Sequence, residues 1–186
     1  QSITERRSTI AERCDLDPSQ RALTWVLYAP TWRDGEVNPA IPTAEETQHI
    51  QEWAERQGIL LFIRSHPLGQ GDYSHVLSDH VVSLPAQVLE EITPELGAFD
   101  TVITDYSSLA LDFAITGRPV LWFAPDLDEY ASRRGLYEPY AITTEGHYST
   151  TWQELLERAV ALLDQGSGAH RAARLRTARL AERFHA

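Results

Sequence analysis

Thr101-Val-Ile-Thr-Asp-Tyr-Ser-Ser-Leu-Ala-Leu-Asp-Phe-Ala114 changes character at its fifth residue. Thr101 to Thr104 is a short β-branched, apolar run that reads as a strand. Asp105-Tyr106 breaks it, and a helix-forming run follows Ser107 and Ser108. A strand-to-helix junction presents backbone N–H groups with no intrahelical acceptor, at the positive end of the helix dipole. With two hydroxyl side chains at the rim, such a junction suits a phosphate. The same residues also suit a simple N-cap, since serine is favoured there in any helix.

Strand signals recur on both sides of this junction. Thr24-Trp-Val-Leu-Tyr-Ala29 is a continuous apolar run of the kind buried on both faces of a parallel sheet. Further strands are predicted at 59–65, 81–84 and 120–123, and one more at 140–143. Helices are predicted to about residue 13, from Thr43 to Gly58, across 86–98 as one helix or two short ones with Pro94 at a first helical position, and across 107–116, 126–134, 151–165 and 170–184. Thr43 and Glu46 have the spacing of a capping box. Strands alternating with helices imply an α/β fold, a Rossmann-like parallel sheet with helices on both faces. The expected organisation is a polar N-terminal segment or helix, 1–23, and one Rossmann-like nucleotide-binding domain, 24–186.

The 186 residues carry 16 Lys+Arg against 27 Asp+Glu, a net charge of -11, and all the basic residues are arginine. A broad basic field is absent, which argues against nucleic acid as a partner. The single cysteine, Cys14, excludes an internal disulfide and a cysteine-based zinc site. The seven histidines show no metal-ligand spacing, so no metal and no cofactor are expected. No apolar run approaches the roughly 18 residues that span a bilayer. The expected location is cytoplasmic, with a peripheral position on the inner face of the membrane as an option. The chain begins at Gln1 and contains no methionine, which suggests a fragment or a processed chain.

In parallel α/β sheets ligands bind beyond the carboxyl ends of the strands. Four polar groups fall there: Thr31, Trp32, Arg33 and Asp34; His66 and Pro67; Asp105, Ser107 and Ser108; Pro125, Asp126 and Asp128. His66 can donate to a phosphate or move a proton, or be a loop histidine held by Pro67. Arg33 has the donor fork that suits a phosphate, and Asp112 could accept from ribose hydroxyls; both are also ordinary surface residues. Arg64 within the second strand requires partners or an edge position. The last helix interleaves Arg171, Arg174, Arg176, Arg179 and Arg183 with Leu175, Ala178 and Phe184. That stripe suits an anionic membrane surface, a neighbouring domain, or solvent. No G-x-S-x-G, G-x-G-x-x-G or Walker sequence is present.

Six motifs occur in order: Tyr28-Ala-Pro-Thr-Trp-Arg-Asp34, Arg64-Ser-His-Pro67, Thr104-Asp-Tyr-Ser-Ser-Leu-Ala-Leu-Asp-Phe113, Arg118-Pro119, Asp126-Leu-Asp-Glu-Tyr130 and Arg134-Gly-Leu-Tyr137. From about residue 24 to 165 this series resembles the CDP-glycerol:poly(glycerophosphate) glycerophosphotransferases of teichoic acid and capsule synthesis. The resemblance implies the C-terminal, donor-binding half of a GT-B-type fold. CDP-glycerol or another CDP-polyol would be the donor and a polyol-phosphate polymer the acceptor. It implies His66 as the catalytic residue contacting the diphosphate, with Ser107 and Ser108 binding the phosphates. Thr31, Arg33, Asp105 and Asp112 are weaker candidates for the donor pocket. The family's Trp-His-Gly-Thr-Pro motif, whose histidine is thought to be the general base, is absent from these residues. The resemblance therefore implies a missing N-terminal domain, without which this chain should not catalyse efficient transfer. The family's acidic run followed by Pro-Gly-Pro is also absent after Tyr137, which leaves glycerol against ribitol open. A UDP- or GDP-sugar glycosyltransferase domain and a non-catalytic nucleotide-binding module are the alternatives.

Overall fold

The computed structural model describes residues 2–33, 35–65 and 71–185. Its centre is a six-stranded, all-parallel sheet in the order β3-β2-β1-β4-β5-β6. The strands are β1 (Thr24–Tyr28), β2 (Ile59–Ile63), β3 (Val81–Ser83), β4 (Thr101–Thr104), β5 (Val120–Phe123) and β6 (Tyr148–Ser149). The helices are α1 (Ile3–Arg13), α2 (Pro18–Arg21), α3 (Ala44–Gln57), α4 (Leu109–Ala114), α5 (Leu127–Arg134), α6 (Tyr140–Thr143), α7 (Trp152–Leu163) and α8 (Gly168–His185). The order reverses between β1 and β4, and a doubly wound sheet opens a crevice for ligands at such a point.

Strand alternation divides the apolar residues between two cores. Trp25, Leu27, Leu60, Phe62 and Val102 face one side, with Ile10 of α1, Phe113 of α4 and Leu180 of α8. Val26, Tyr28, Leu61, Ile63 and Ile103 face the other, with Ile50 and Trp53 of α3 and Leu155 of α7. All five residues of β2 are buried, as a strand covered on both faces requires. The Trp25 and Phe62 rings lie 4.8 Å apart, and Phe62 meets Phe99 edge-on at 5.3 Å. Across the sheet, Trp152 packs on Tyr28 at 5.2 Å and donates its indole N–H to the Ala40 carbonyl at 2.9 Å.

The N-terminal segment joins the first of these cores. Besides Ile10, it contributes Ala11 and Leu16. Arg7 donates to the Ala98 carbonyl at 2.8 Å and to Asp100 at 2.6 Å, and Asp100 accepts the Trp25 N–H at 2.8 Å. The predicted capping box at Thr43 and Glu46 is formed, and α3 ends on Gly58 at φ 62°, a left-handed conformation that favours glycine.

Three sequence expectations change. Residues 140–143, read as a strand, form α6, and the last strand is Tyr148–Ser149. A four-residue apolar run does not separate strand from helix by periodicity; Pro139 and the packing of Tyr140 decide it here. Residues 86–98, read as one helix or two short ones, hold a single short helical segment of 3-10 type, Thr93–Ala98, with the expected proline in its first turn, and are turns before it. Arg64 lies just past β2. Its guanidinium donates to the carbonyls of Leu84, Leu89 and Glu90 at 3.3, 2.7 and 3.0 Å, pinning the segment after β3.

Candidate functional site

Strands β1, β4 and β5 end side by side, so their following loops meet. Thr31 and Arg33 come from the first, Asp105 to Ser108 from the second and Asp126 from the third. His66 and Asp34 lie outside the described residues.

Arg33 is the hub. It is 8% exposed, and Asp105 is 2% exposed. The Arg33 guanidinium donates to Asp126 Oδ2 at 2.7 Å through Nε and to Asp126 Oδ1 at 2.9 Å through Nη2. The same Nη2 reaches Asp105 Oδ2 at 2.9 Å, and Nη1 donates to the Thr31 carbonyl at 2.5 Å. Asp105 Oδ1 accepts the Thr31 N–H and hydroxyl, at 2.8 and 2.5 Å, and the Tyr106 N–H at 2.7 Å. Burial opposes the charge on Arg33; the hydrogen bonds to Asp126 and the charge of Asp105 more than offset it, holding its pKa above the usual guanidinium value. Two carboxylates around one guanidinium make a fork-to-fork arrangement that fixes three loops relative to one another.

Aromatic rings enclose this cluster. Tyr106 stacks on Tyr130 with centroids 3.8 Å apart, and the Arg33 guanidinium lies 5.2 and 5.0 Å from the two ring centroids. The Tyr106 hydroxyl donates to Asp126 Oδ1 at 3.0 Å, and the Tyr140 hydroxyl to the Asp105 carbonyl at 3.1 Å. Burial first, and then nearby carboxylate charge (Asp126 for Tyr106, Asp105 for Tyr140), raises both phenol pKa values above the ordinary range. Both phenols therefore remain hydrogen-bond donors.

Ser107 and Ser108 sit on the outside of this scaffold. Ser107 Oγ accepts the Leu109 N–H at 3.2 Å. Ser108 stands at the N-cap of α4, is exposed and makes no side-chain capping bond. Among the described residues, the backbone N–H groups of Ser107 and Ser108 have no acceptor. Helix α4 is six residues long, so its dipole is small; the local N–H and hydroxyl groups carry most of the attraction for an anion. Both serines line a hollow of about 670 Å³ with Tyr106, Trp122 and Tyr140, and with Arg134 and Arg183. Arg183 is paired with Glu138, and the Arg134 guanidinium lies 5.3 Å from the Trp32 ring centroid. Tyr137, wholly exposed, stands at the margin.

The structure thus brings together Thr31, Arg33, Asp105, Ser107 and Ser108, in two distinct roles. Thr31, Arg33 and Asp105 spend their hydrogen bonds on one another, on Asp126 and on the Tyr106 N–H, whereas Ser107 and Ser108 face outward. Asp112 is partly exposed and is not among the residues lining the hollow; Leu111 is. Sequence reasoning left Tyr106, Tyr130 and Tyr140 without roles and gave Asp126 only a place at the sheet edge. Asp126 carried a signal, a carboxylate following a strand that ends beside β4. Tyr140 carried none, because it was read into a strand. The arginines of α8 largely meet their own chain: Arg171 and Arg174 donate to the carbonyls of Gly166 and Gly117, and Arg179 pairs with Glu145. Among the described residues, no helix is long and apolar enough to cross a membrane.

A family model described as CDP-glycerol:poly(glycerophosphate) glycerophosphotransferase matches residues 3–184. The teichoic acid glycerol-phosphate primase of Bacillus subtilis (strain 168) is 34% identical over 116 residues, covering 62% of this chain and 29% of that protein. The teichoic acid ribitol-phosphate polymerase TarL of Staphylococcus aureus (strain NCTC 8325 / PS 47) is 24% identical over 134 residues, 71% of this chain and 24% of that one. The chain therefore spans less than a third of the length of these relatives. Among solved structures, the wall teichoic acid polymerase TagF superposes with a TM-score of 0.72 at 22% identity, covering 97% of this chain and 42% of that chain. At that identity the likeness shows the fold, here a domain like part of a GT-B-type polymerase.

Proposed function

Because the chain belongs to the CDP-glycerol:poly(glycerophosphate) glycerophosphotransferase family, we propose that it is the donor-binding domain of an enzyme that transfers polyol phosphate from a CDP-polyol to a hydroxyl of a growing teichoic acid or capsular polymer, releasing CMP. The observation that carries this reading is the outward-facing Ser107–Ser108 turn at the rim of an aromatic-floored hollow, beyond the carboxyl ends of the central strands. A nucleoside diphosphate needs both parts: N–H and hydroxyl donors for its phosphates, and apolar walls for the remainder.

In the transfer, the acceptor oxygen bonds to the phosphorus that carries the polyol. The bond from that phosphorus to the bridging oxygen breaks, and the electron pair leaves on the CMP phosphate. Charge therefore grows on the diphosphate oxygens. Donors already fixed in place stabilise it without reorganising, which is how electrostatic catalysis lowers a barrier. On this reading Ser107, Ser108 and their N–H groups receive that charge, and His66, which follows β2 in the sequence, acts with them. Arg33, Asp105, Asp126 and Thr31 act behind the donor, holding the turn that carries the serines. The attacking hydroxyl gives its proton to a base of the Trp-His-Gly-Thr-Pro motif, a sequence these 186 residues do not contain.

Calorimetry of this chain with CDP-glycerol, CDP-ribitol, CMP and a UDP-sugar tests the reading. A CDP-polyol is expected to bind best, and the stronger of the two polyols names the transferred group. Preference for the UDP-sugar would transfer the domain to the nucleotide-sugar glycosyltransferases. No nucleotide binding by a folded chain would leave a non-catalytic module.

A further inference from the structure

A second cavity, of about 290 Å³, lies between α7, α8 and the edge formed by β5 and β6. At about 30 Å³ per water, it has room for roughly ten water molecules. Its walls are apolar, with Leu121, Leu162 and Leu180, while His147, Arg158 and Arg176 also line it. Trp122 and Thr143 line both this cavity and the hollow at Ser107–Ser108, so the two are neighbours with different charged groups.

Arg176 is the odd arginine of α8. Arg171, Arg174, Arg179 and Arg183 each donate to a carbonyl or carboxylate of their own chain. Arg176 is half-buried, yet among the described residues it has neither a hydrogen bond nor an ion pair. The nearest carboxylate in charge terms, Glu145, is held by both Arg179 nitrogens, at 2.8 and 2.6 Å. Arg158 is likewise without a hydrogen bond or ion pair, while Glu154 on its own helix accepts the Thr150 N–H at 2.9 Å. A third group points the same way. Ser149 also lines the cavity, and its hydroxyl is buried and lacks a partner among the described residues. A partly desolvated cation without an anion, Arg176, beside a buried hydroxyl without an acceptor, is costly unless something pairs with it, and the exposed Arg158 adds its charge at the rim. His147 feels the same field: burial, and then the charges of Arg176 and Arg158, lower its pKa.

We propose that this cleft is a second anion site, separate from the Ser107–Ser108 hollow, which takes one phosphate ester through Arg158, Arg176 and Ser149. The apolar walls suit the short hydrocarbon part of such an ester, and the guanidinium groups suit its oxygens. The inference stands independently of the donor reading.

The test is an amide NMR titration of the 186-residue chain with glycerol 3-phosphate, with glycerol as control. Saturable shifts are expected around Ser149 and Ala173 with the phosphate ester and not with glycerol. Arg176→Gln should weaken binding by about ten- to a hundredfold, the range for a charged hydrogen bond. Arg176→Lys should retain part of it. If Arg176→Gln fails to fold, Arg158→Gln and Ser149→Ala carry the same comparison. Inorganic phosphate, a soluble poly(glycerol phosphate) and phosphatidylglycerol vesicles, run in parallel, assign the source to free phosphate, a polymer phosphodiester or a lipid headgroup. CDP-glycerol affinity should be unchanged in Arg176→Gln. No saturable response to any of these probes in the millimolar range, or a response the variants leave intact, would overturn the proposal.

Discussion

Arg33→Met removes the hub of the strand-end scaffold while keeping a side chain of similar length. In the intact protein the guanidinium makes four hydrogen bonds of 2.5 to 2.9 Å, three of them to the carboxylates of Asp105 and Asp126. Those carboxylate side chains are 3% and 10% exposed, so neither can recover full hydration in the variant. Breaking a buried ion pair by deleting one partner costs about 3–5 kcal/mol, mostly because the remaining charge is uncompensated. Domains are stable by only about 5–15 kcal/mol, so the loss is a large fraction. At about 2–4 °C per kcal/mol for a chain of this size, the melting temperature should fall by about 6–20 °C. Urea unfolding of wild type and variant measures it, read as a shift in midpoint at constant slope. Asp126→Asn in the Arg33→Met background should cost much less than it does alone, a coupling of about 1–3 kcal/mol, because it removes the charge left stranded. A loss below about 1 kcal/mol, or strictly additive changes, would refute the view of Arg33 as a buried clamp.

Three further outcomes follow from the same geometry. Ser108→Ala should leave stability within about 0.5 kcal/mol, because the side chain is exposed and caps nothing; calorimetry should show CDP-polyol binding weakened by about 1–2 kcal/mol, and unchanged affinity would remove Ser108 from the site. Tyr106→Phe deletes the 3.0 Å bond to Asp126 but retains the stack on Tyr130, so chemical denaturation should report a loss of about 1 kcal/mol. Burial pushes the Tyr73 phenol up to about 12. The unfolded chain ionises near 10, so this stability is fully present below that pH and is lost as pH rises toward 12. Tyrosinate absorbance should therefore rise together with loss of helical circular dichroism. Free titration of all tyrosines near pH 10 in a folded protein would contradict the burial.

The parts of this molecule legible in its sequence are those encoded locally. The Thr101–Thr104 run and the serines after it were enough to place β4 and the turn at Ser107–Ser108. The apolar runs at 24–28, 59–63 and 120–123 gave strands whose loops had to share an edge. What stayed hidden depended on distance along the chain. Arg33 reaches Asp105 and Asp126 across 72 and 93 positions, so nothing near residue 33 marks it as buried. Arg64 is satisfied by three carbonyls, which carry no side-chain signature. Strand β6 has two residues, too few for any period to register, and Tyr140 was consequently drawn into a strand instead of the wall of the hollow. Local pattern therefore located the proposed site, and long-range pairing decided which of its polar residues face the hollow.

The most direct test of the central claim is the footprint of CDP-glycerol on the isotope-labelled chain, read as amide shifts during titration. The account predicts that the largest saturable changes fall on Ser107, Ser108 and Leu109, with Asp105 and Tyr140 following. A footprint on the α7–α8 cleft, or saturable binding that leaves the Ser107–Ser108 amides unmoved, would contradict it.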